Sequence, residues 1–307
     1  MFVEFDMLGK RRCMVKMAIG MALVTCSCLV GVVAGRAQTS LSAAEIVNRN
    51  VEARGGLQKW QAVQTLSMSG KMEAGGNSRP TLPMPGRKDR NAMPPARPSE
   101  QIRLPFLMEL KRPRRSRVEV SFNGQDAIQV SDGASGWKLR PYLNRQQVEP
   151  YTDDEMKSVA AQAELDGPLV GYAAKGTTVA LEGMEKVDGR DNYRLRLLLK
   201  GGTAMHIWVD AKTYLESKME GTPRRLDGRL HPVEIYMRDY RLVQGLQIPF
   251  LLETKVLNAQ AVARAPQVSE QILLDKVEVN PSLNDALFTR ADLEAAATAK
   301  ALVASTH

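Results

Sequence analysis

From about Thr65 to Val279 the chain is a train of short runs in which apolar and polar residues alternate, cut apart by glycine-containing turns. The stretches NYRLRLLLKGGTAMHIWVDAKTYLESKME (192–220) and VEIYMRDYRLVQGLQIPFLLETKVL (233–257) carry the rhythm most clearly. A period of two places apolar side chains on one face of a strand and polar ones on the other. About a dozen such strands in succession build a large antiparallel sheet with its core on one side. No catalytic constellation is spread along them. The pattern therefore predicts a surface that holds something, not one that transforms it.

The runs divide as follows. Strands are expected over 65–74, 102–110, 116–122, 125–133, 136–141 and then near 177–187, 191–199, 203–210, 213–220, 231–243, 246–257 and 269–279. Asn123-Gly124 is a strong hairpin signal, and Asp188-Gly189, Gly201-Gly202 and Gln244-Gly245 mark further turns. Two segments read as helices. In 40–56, Ser42 followed by Glu45 forms a capping-box pattern, Ile46, Val47 and Val51 make an apolar stripe, and Gly55-Gly56 stops the helix. In 152–164, Thr152 caps, Asp153, Asp154 and Glu155 suit the positive end, and Met156, Val159 and Ala163 share a face. Residues 75–100 break the pattern, with six of the chain's sixteen prolines, three glycines and four arginines. Such a segment buries too little apolar area to offset its ordering and reads as a disordered insertion. Residues 291–307 read as a helix or tail, leaving one domain over 38–290.

The first 37 residues have the layout of a secretory signal peptide: Lys10, Arg11, Arg12 and Lys16, then an uncharged apolar run over 17–34, then small residues before Ala37. A retained inner-membrane anchor is the alternative, since the run approaches a spanning length. All three cysteines, Cys13, Cys26 and Cys28, lie inside this segment. The remainder offers no thiol nucleophile, redox pair or cysteine metal site. Export and a cysteine-free body together point to the periplasm. Beyond residue 37 there are 37 basic against 32 acidic residues, while 75–117 alone holds 11 against 3, so the basic character is local.

Chemistry is sparse. His206, His231 and His307 are the only histidines, and neither a paired metal-ligand motif nor a nucleophile-elbow pentapeptide occurs. DGASG (132–136) and VDGRDNY (187–193) read as turns. KRPRRSR (111–117) is the densest charge cluster; between two strands of an exported protein it reads as a solvated hairpin end. Its functional counterpart is transient contact of Arg112, Arg114, Arg115 and Arg117 with an anionic membrane surface, not nucleic acid. Ten methionines follow residue 37, among them Met108, Met184, Met205, Met219 and Met237 in expected strands. They suit either core filling or an adaptable binding surface.

The order AAEIVNRNVEARGGLQKWQAVQTLSMSGKM (43–72), KRPRRSRVEV (111–120), VSDGASGWKLRP (130–141), VDGRDNYRLRLLLKGGTAMHIWVDAKTYLESKME (187–220) and YRLVQGLQIPF (240–250) resembles bacterial outer-membrane lipoprotein-sorting proteins, the superfamily around the periplasmic lipoprotein carrier. The likeness spans the chain beyond residue 37 except 75–100 and the tail. It implies an α+β, mainly β fold: an incomplete antiparallel half-barrel of about 11 strands with helices over its open face. It also implies acyl chains of lipoproteins or lipids as ligands; the missing motifs already predict no catalysis and no cofactor. On the apolar strand faces, Met108, Leu110, Val118, Val120, Trp137, Leu195, Leu197 and Trp208 are the expected lining. A monomeric carrier or sensor is one expectation; a non-catalytic envelope scaffold that docks a protein is the other.

Overall fold

Ser42 opens the first helix as the sequence expects: its hydroxyl accepts from Glu45 N while the Glu45 side chain accepts from Ser42 N, so each residue satisfies an orphan amide of the other. The helix, α1 (Ala43–Ala53), buries Ile46, Val47, Asn50 and Val51. A short second helix, α2 (Leu57–Ala62), follows, and its Trp60 is buried. Gly55 sits between them at φ 116°, where a Cβ would collide with the carbonyl of Gly245. Only glycine lets the end of α1 approach that closely. These facts come from a computed structural model that describes residues 41–75, 101–141, 145–226, 229–257 and 269–305. The expected signal segment 1–37 lies outside the described residues, as does the insertion 75–100 apart from Gly75.

Thirteen antiparallel strands make one sheet: β1 (Thr65–Gly75), β2 (Gln101–Lys111), β3 (Arg115–Phe122), β4 (Gln125–Ser131), β5 (Gly136–Arg140), β6 (Arg145–Pro150), β7 (Thr178–Val187), β8 (Arg190–Leu198), β9 (Ala204–Asp210), β10 (Glu216–Leu226), β11 (Arg229–Val243), β12 (Leu246–Val256) and β13 (Ser269–Val279). The sheet order is β6-β5-β4-β3-β2-β1-β13-β12-β11-β10-β9-β8-β7, so β1 and β13 close the middle and the ends stay open. Twelve of these strands correspond to the alternating runs of the sequence. The thirteenth is β6, whose sequence RQQVEP carries no alternation; an edge strand needs none. Asn123, Asp188 and Gln244, each with positive φ and each followed by a positive-φ glycine, form the hairpin turns expected there.

The sheet curls toward one face. Gln129 of β4 and Thr222 of β10 line the same cleft, yet their strands are third and tenth in the order. In a flat sheet seven strand steps would separate them by about 33 Å. This inner face carries the main core: Leu66, Phe106, Leu110, Leu195, Leu197, Ile207, Val209, Ile248, Phe250, Leu274 and Val277 pack with Ile46, Val47 and Val51 of α1. The result is an incomplete half-barrel.

A core on one side only was expected; the structure adds a second. On the opposite face of β4 and β5, Ile128, Val130 and Leu139 pack against Phe288 and Leu293. Phe288 ends a 3-10 turn (Asp285–Phe288), and Leu293 belongs to α4 (Arg290–Ser305), the helical form of the expected helix or tail. Val130 and Leu139 were legible as apolar, but both faces of these strands are covered, which a one-sided alternation does not announce.

Candidate functional site

Two elements cover the inner face, and they differ in how much they bury. Helix α1 seals the end where α2, the β2–β3 turn and the β11–β12 turn meet. Arg54, one residue past α1, donates to the carbonyl of Asp166 at 2.8 Å and to Glu216 at 3.2 Å, and its guanidinium lies 4.4 Å from the Trp60 ring centroid. Asn50 donates to the carbonyl of Tyr214 at 2.7 Å. Behind them Leu165, Leu169 and Val170 join the main core. This end is closed.

The second cover is α3 (Asp153–Gln162), capped by Thr152 with its own capping box to Glu155. None of its described side chains is buried: Met156, Val159 and Ala160 are all half-exposed. It is tied to the sheet by charge. Lys138 of β5 donates to both oxygens of Glu155, one at 2.6 Å. Burial raises the Glu155 carboxyl, but hydrogen bonds from Lys138 and from the Thr152 amide outweigh that and hold it below its ordinary value. Tyr151 lies against Gly136, where a Cβ would meet its ring, and burial pushes its phenol well up, so it is neutral. Between α3 and the end of the β10–β11 hairpin lies a cleft of about 430 Å³, lined among others by Gln129, Tyr151, Val159, Pro223 and Leu230.

Toward this open end the inner face is apolar but only half-buried. Leu104, Met72, Ile272, Leu252 and Met237 are paired partners on five successive strands, β2, β1, β13, β12 and β11, and therefore form one stripe across the sheet. All five are half-exposed, in contrast with Leu66, Leu110 and Val277 nearer the closed end. Met219 and Ile235, also half-buried, extend the stripe through β10 and β11.

The eight expected lining residues separate into three groups. Met108, Val118 and Val120 are half-buried on the inner face beside the stripe. Leu110, Leu195 and Leu197 are on the same face but at most 3% exposed, packed into the core. Trp137 and Trp208 stand on the opposite face. Trp137 pairs with Val130 of the second core, while Trp208 donates to Glu185 at 2.9 Å and lies 3.8 Å beneath the Lys218 ammonium. Period two tells that two residues share a face with their i±2 neighbours but not which face is concave, and a tryptophan counted as apolar hides its polar edge. The stripe itself was missed as a unit because it depends on register between strands; its methionines, Met219 and Met237, were the available signal.

The arginines of 111–117 are occupied. Arg112 donates to Asp166 at 2.9 Å and to the carbonyl of Val63 at 2.7 Å; Arg115 pairs with Asp285; Arg117 holds Asp292, Glu119 and the carbonyl of Leu287. Arg114 has the most open side chain, 61% exposed, with Glu164 at 3.9 Å. His206 lies on the outer face between Glu220 at 2.9 Å and Glu182 at 3.1 Å. Among the described residues no group of three or more His, Cys, Asp or Glu is placed to hold a metal ion, and no helix is long and apolar enough to cross a membrane.

No protein-family model matches the sequence, and no curated protein matches it. Solved structures do. A DUF1329 family protein from Desulfovibrio piger aligns with a TM-score of 0.51 at 13% identity, covering 82% of this chain and 98% of its own. A LolA superfamily protein from Nitrosomonas europaea aligns with a TM-score of 0.50 at 14% identity, over 82% of this chain and all of the other. The chain shares its overall fold with these two proteins. A putative outer membrane lipoprotein-sorting protein domain from Vibrio parahaemolyticus aligns over 82% of this chain and 98% of its own, at 14% identity and a TM-score of 0.49.

Proposed function

We propose that the protein is a periplasmic carrier or sensor that binds acyl chains of lipoproteins or lipids on its inner face, without catalysis. One observation carries this reading: the five residues of the apolar stripe from Leu104 to Met237 stay half-exposed on the inner face. Water-exposed apolar area is costly, and each ligand methylene that covers it gains about 0.8 kcal/mol. Met72, Met219 and Met237 suit a ligand of variable shape. The LolA-superfamily likeness at the level of fold supports the same reading. Six of the expected lining residues, Met108, Leu110, Val118, Val120, Leu195 and Leu197, belong to the proposed inner wall, three of them as its floor. Contact with an anionic membrane surface, if it accompanies delivery, rests on Arg114, the most exposed arginine of the cluster.

Native mass spectrometry of the freshly purified protein should find co-purified lipid, and the stripped protein should take up a fluorescent fatty acid. Ile272→Glu places a charge in the middle of the stripe at a half-exposed position; it should abolish uptake while the protein stays folded. A lipid-free protein that takes up no fatty acid would leave the scaffold alternative, with the same fold docking a protein partner.

A further inference from the structure

The mouth of the inner face carries an ion pair that acyl-chain packing does not explain. Strand β10 is irregular between Gly221 and Arg224, and such a bulge bends the strand. Thr222 and Pro223, within the bulge, and Leu230 of β11 line the cleft beside α3. Just past the bulge Arg224 Nη1 donates to Glu270 Oε2 at 2.7 Å. Their strands, β10 and β13, are three places apart in the sheet, about 14 Å if it were flat, so the bond crosses the inner face. Glu270 pairs with Thr254 of β12 and lies two residues along β13 from Ile272, hence on the same face and next to the stripe. The two side chains are 41% and 38% exposed, so solvent screens the pair and holds it weakly.

We propose that Arg224 is the head-group site of this face and that the ligand is an amphiphile with an anionic head, a carboxylate or a phosphate. This deepens the acyl-chain reading and rests on it. A guanidinium presents a planar fork of donors that fits both anions, and Glu270 occupies it in the empty protein. An incoming anion takes the place of Glu270 while its chain runs along the stripe past Ile272. Charge selects the sign. Arg229 shares this face with Arg224, since Arg224 pairs with His231 and Arg229 lies two residues along β11 from it. A cationic head on Glu270 would sit among these positive charges and be repelled.

Titration calorimetry with dodecanoate, dodecyl phosphate, dodecanol and inorganic phosphate, on the full chain, tests this. The wild type should bind the two anionic amphiphiles about ten-fold more tightly than dodecanol, the difference expected of one charge-assisted contact. Arg224→Gln should bring both anions down to the dodecanol level and leave dodecanol unchanged. Glu270→Gln, which removes the internal competitor, should tighten the anions. Equal binding of all three amphiphiles by the wild type, or an anion preference that survives Arg224→Gln, overturns the head-group site while the acyl-chain reading stands. Inorganic phosphate binding as tightly as dodecyl phosphate overturns it too, since the chain would then contribute nothing. If no amphiphile binds, both readings fall together.

Discussion

Asp166 joins three segments at the closed end of the half-barrel. Its carboxylate accepts from Arg112 at 2.9 Å and from Lys175 at 2.7 Å, and its backbone carbonyl accepts from Arg54. Burial pushes the carboxyl up, but the hydrogen bonds from Lys175 and Arg112 outweigh burial and hold it below 3.8. A carboxyl depressed in the folded state contributes stability above its unfolded pKa and gives it up as the pH falls through the folded one. Asp166→Asn should therefore cost roughly 1–3 kcal/mol at neutral pH. It should also flatten the acid loss of stability below about pH 4. Urea unfolding of both proteins across an acid series checks this; curves that run parallel down to low pH would remove Asp166 from the acid response. Arg112 looked like part of a basic patch in the sequence because its partner is 54 residues away and invisible to any local reading.

At the scale of elements, the two capped helices make a controlled comparison. Helices α1 and α3 carry the same device, a Ser or Thr cap answered by a Glu three residues on. Replacing either cap by Ala costs about 1 kcal/mol of helix stability. Only α1 is buried, so only there is that cost coupled to the whole fold. Ser42→Ala should lower global stability measured by denaturant, whereas Thr152→Ala should leave it nearly unchanged and speed amide exchange within α3. Equal effects on global stability would show that α3 is part of the core and not a lid. Both helices were legible to within a residue or two because caps and apolar spacing are local. So were the strands from 65 to 279, with the exceptions of β6, which lacks alternation, and α2, a six-residue helix whose one buried side chain, Trp60, gives no periodicity. What local pattern does not carry is pairing. The order β1-β13 at the centre of the sheet joins residues two hundred or more positions apart, and the stripe from Leu104 to Met237 exists only once those registers are set.

The whole molecule separates stability from binding by assigning them to different places. The outer face of β4 and β5 is dry under α4, with Leu139 and Leu293 at most 1% exposed. The inner face is dry at the closed end and open at the other, where Met72, Leu252 and Ile272 remain in part accessible. A cavity under α4 takes atoms away from a filled core, so Leu293→Ala should cost about 2–5 kcal/mol. Fatty-acid uptake per folded molecule should be unaltered, because no stripe residue belongs to that cluster. Met237→Ala should do the reverse: its side chain already meets solvent, so global stability should shift by less than about 1.5 kcal/mol, with weaker uptake. Denaturant midpoints and binding isotherms on the same preparations give both numbers. If Leu293→Ala abolishes uptake in the folded protein, the two faces are coupled and the lidded half-barrel cannot be treated as a rigid wall with a separate support. If the variants part as expected, the half-exposed inner face persists because filling it with protein side chains would leave no room for a ligand.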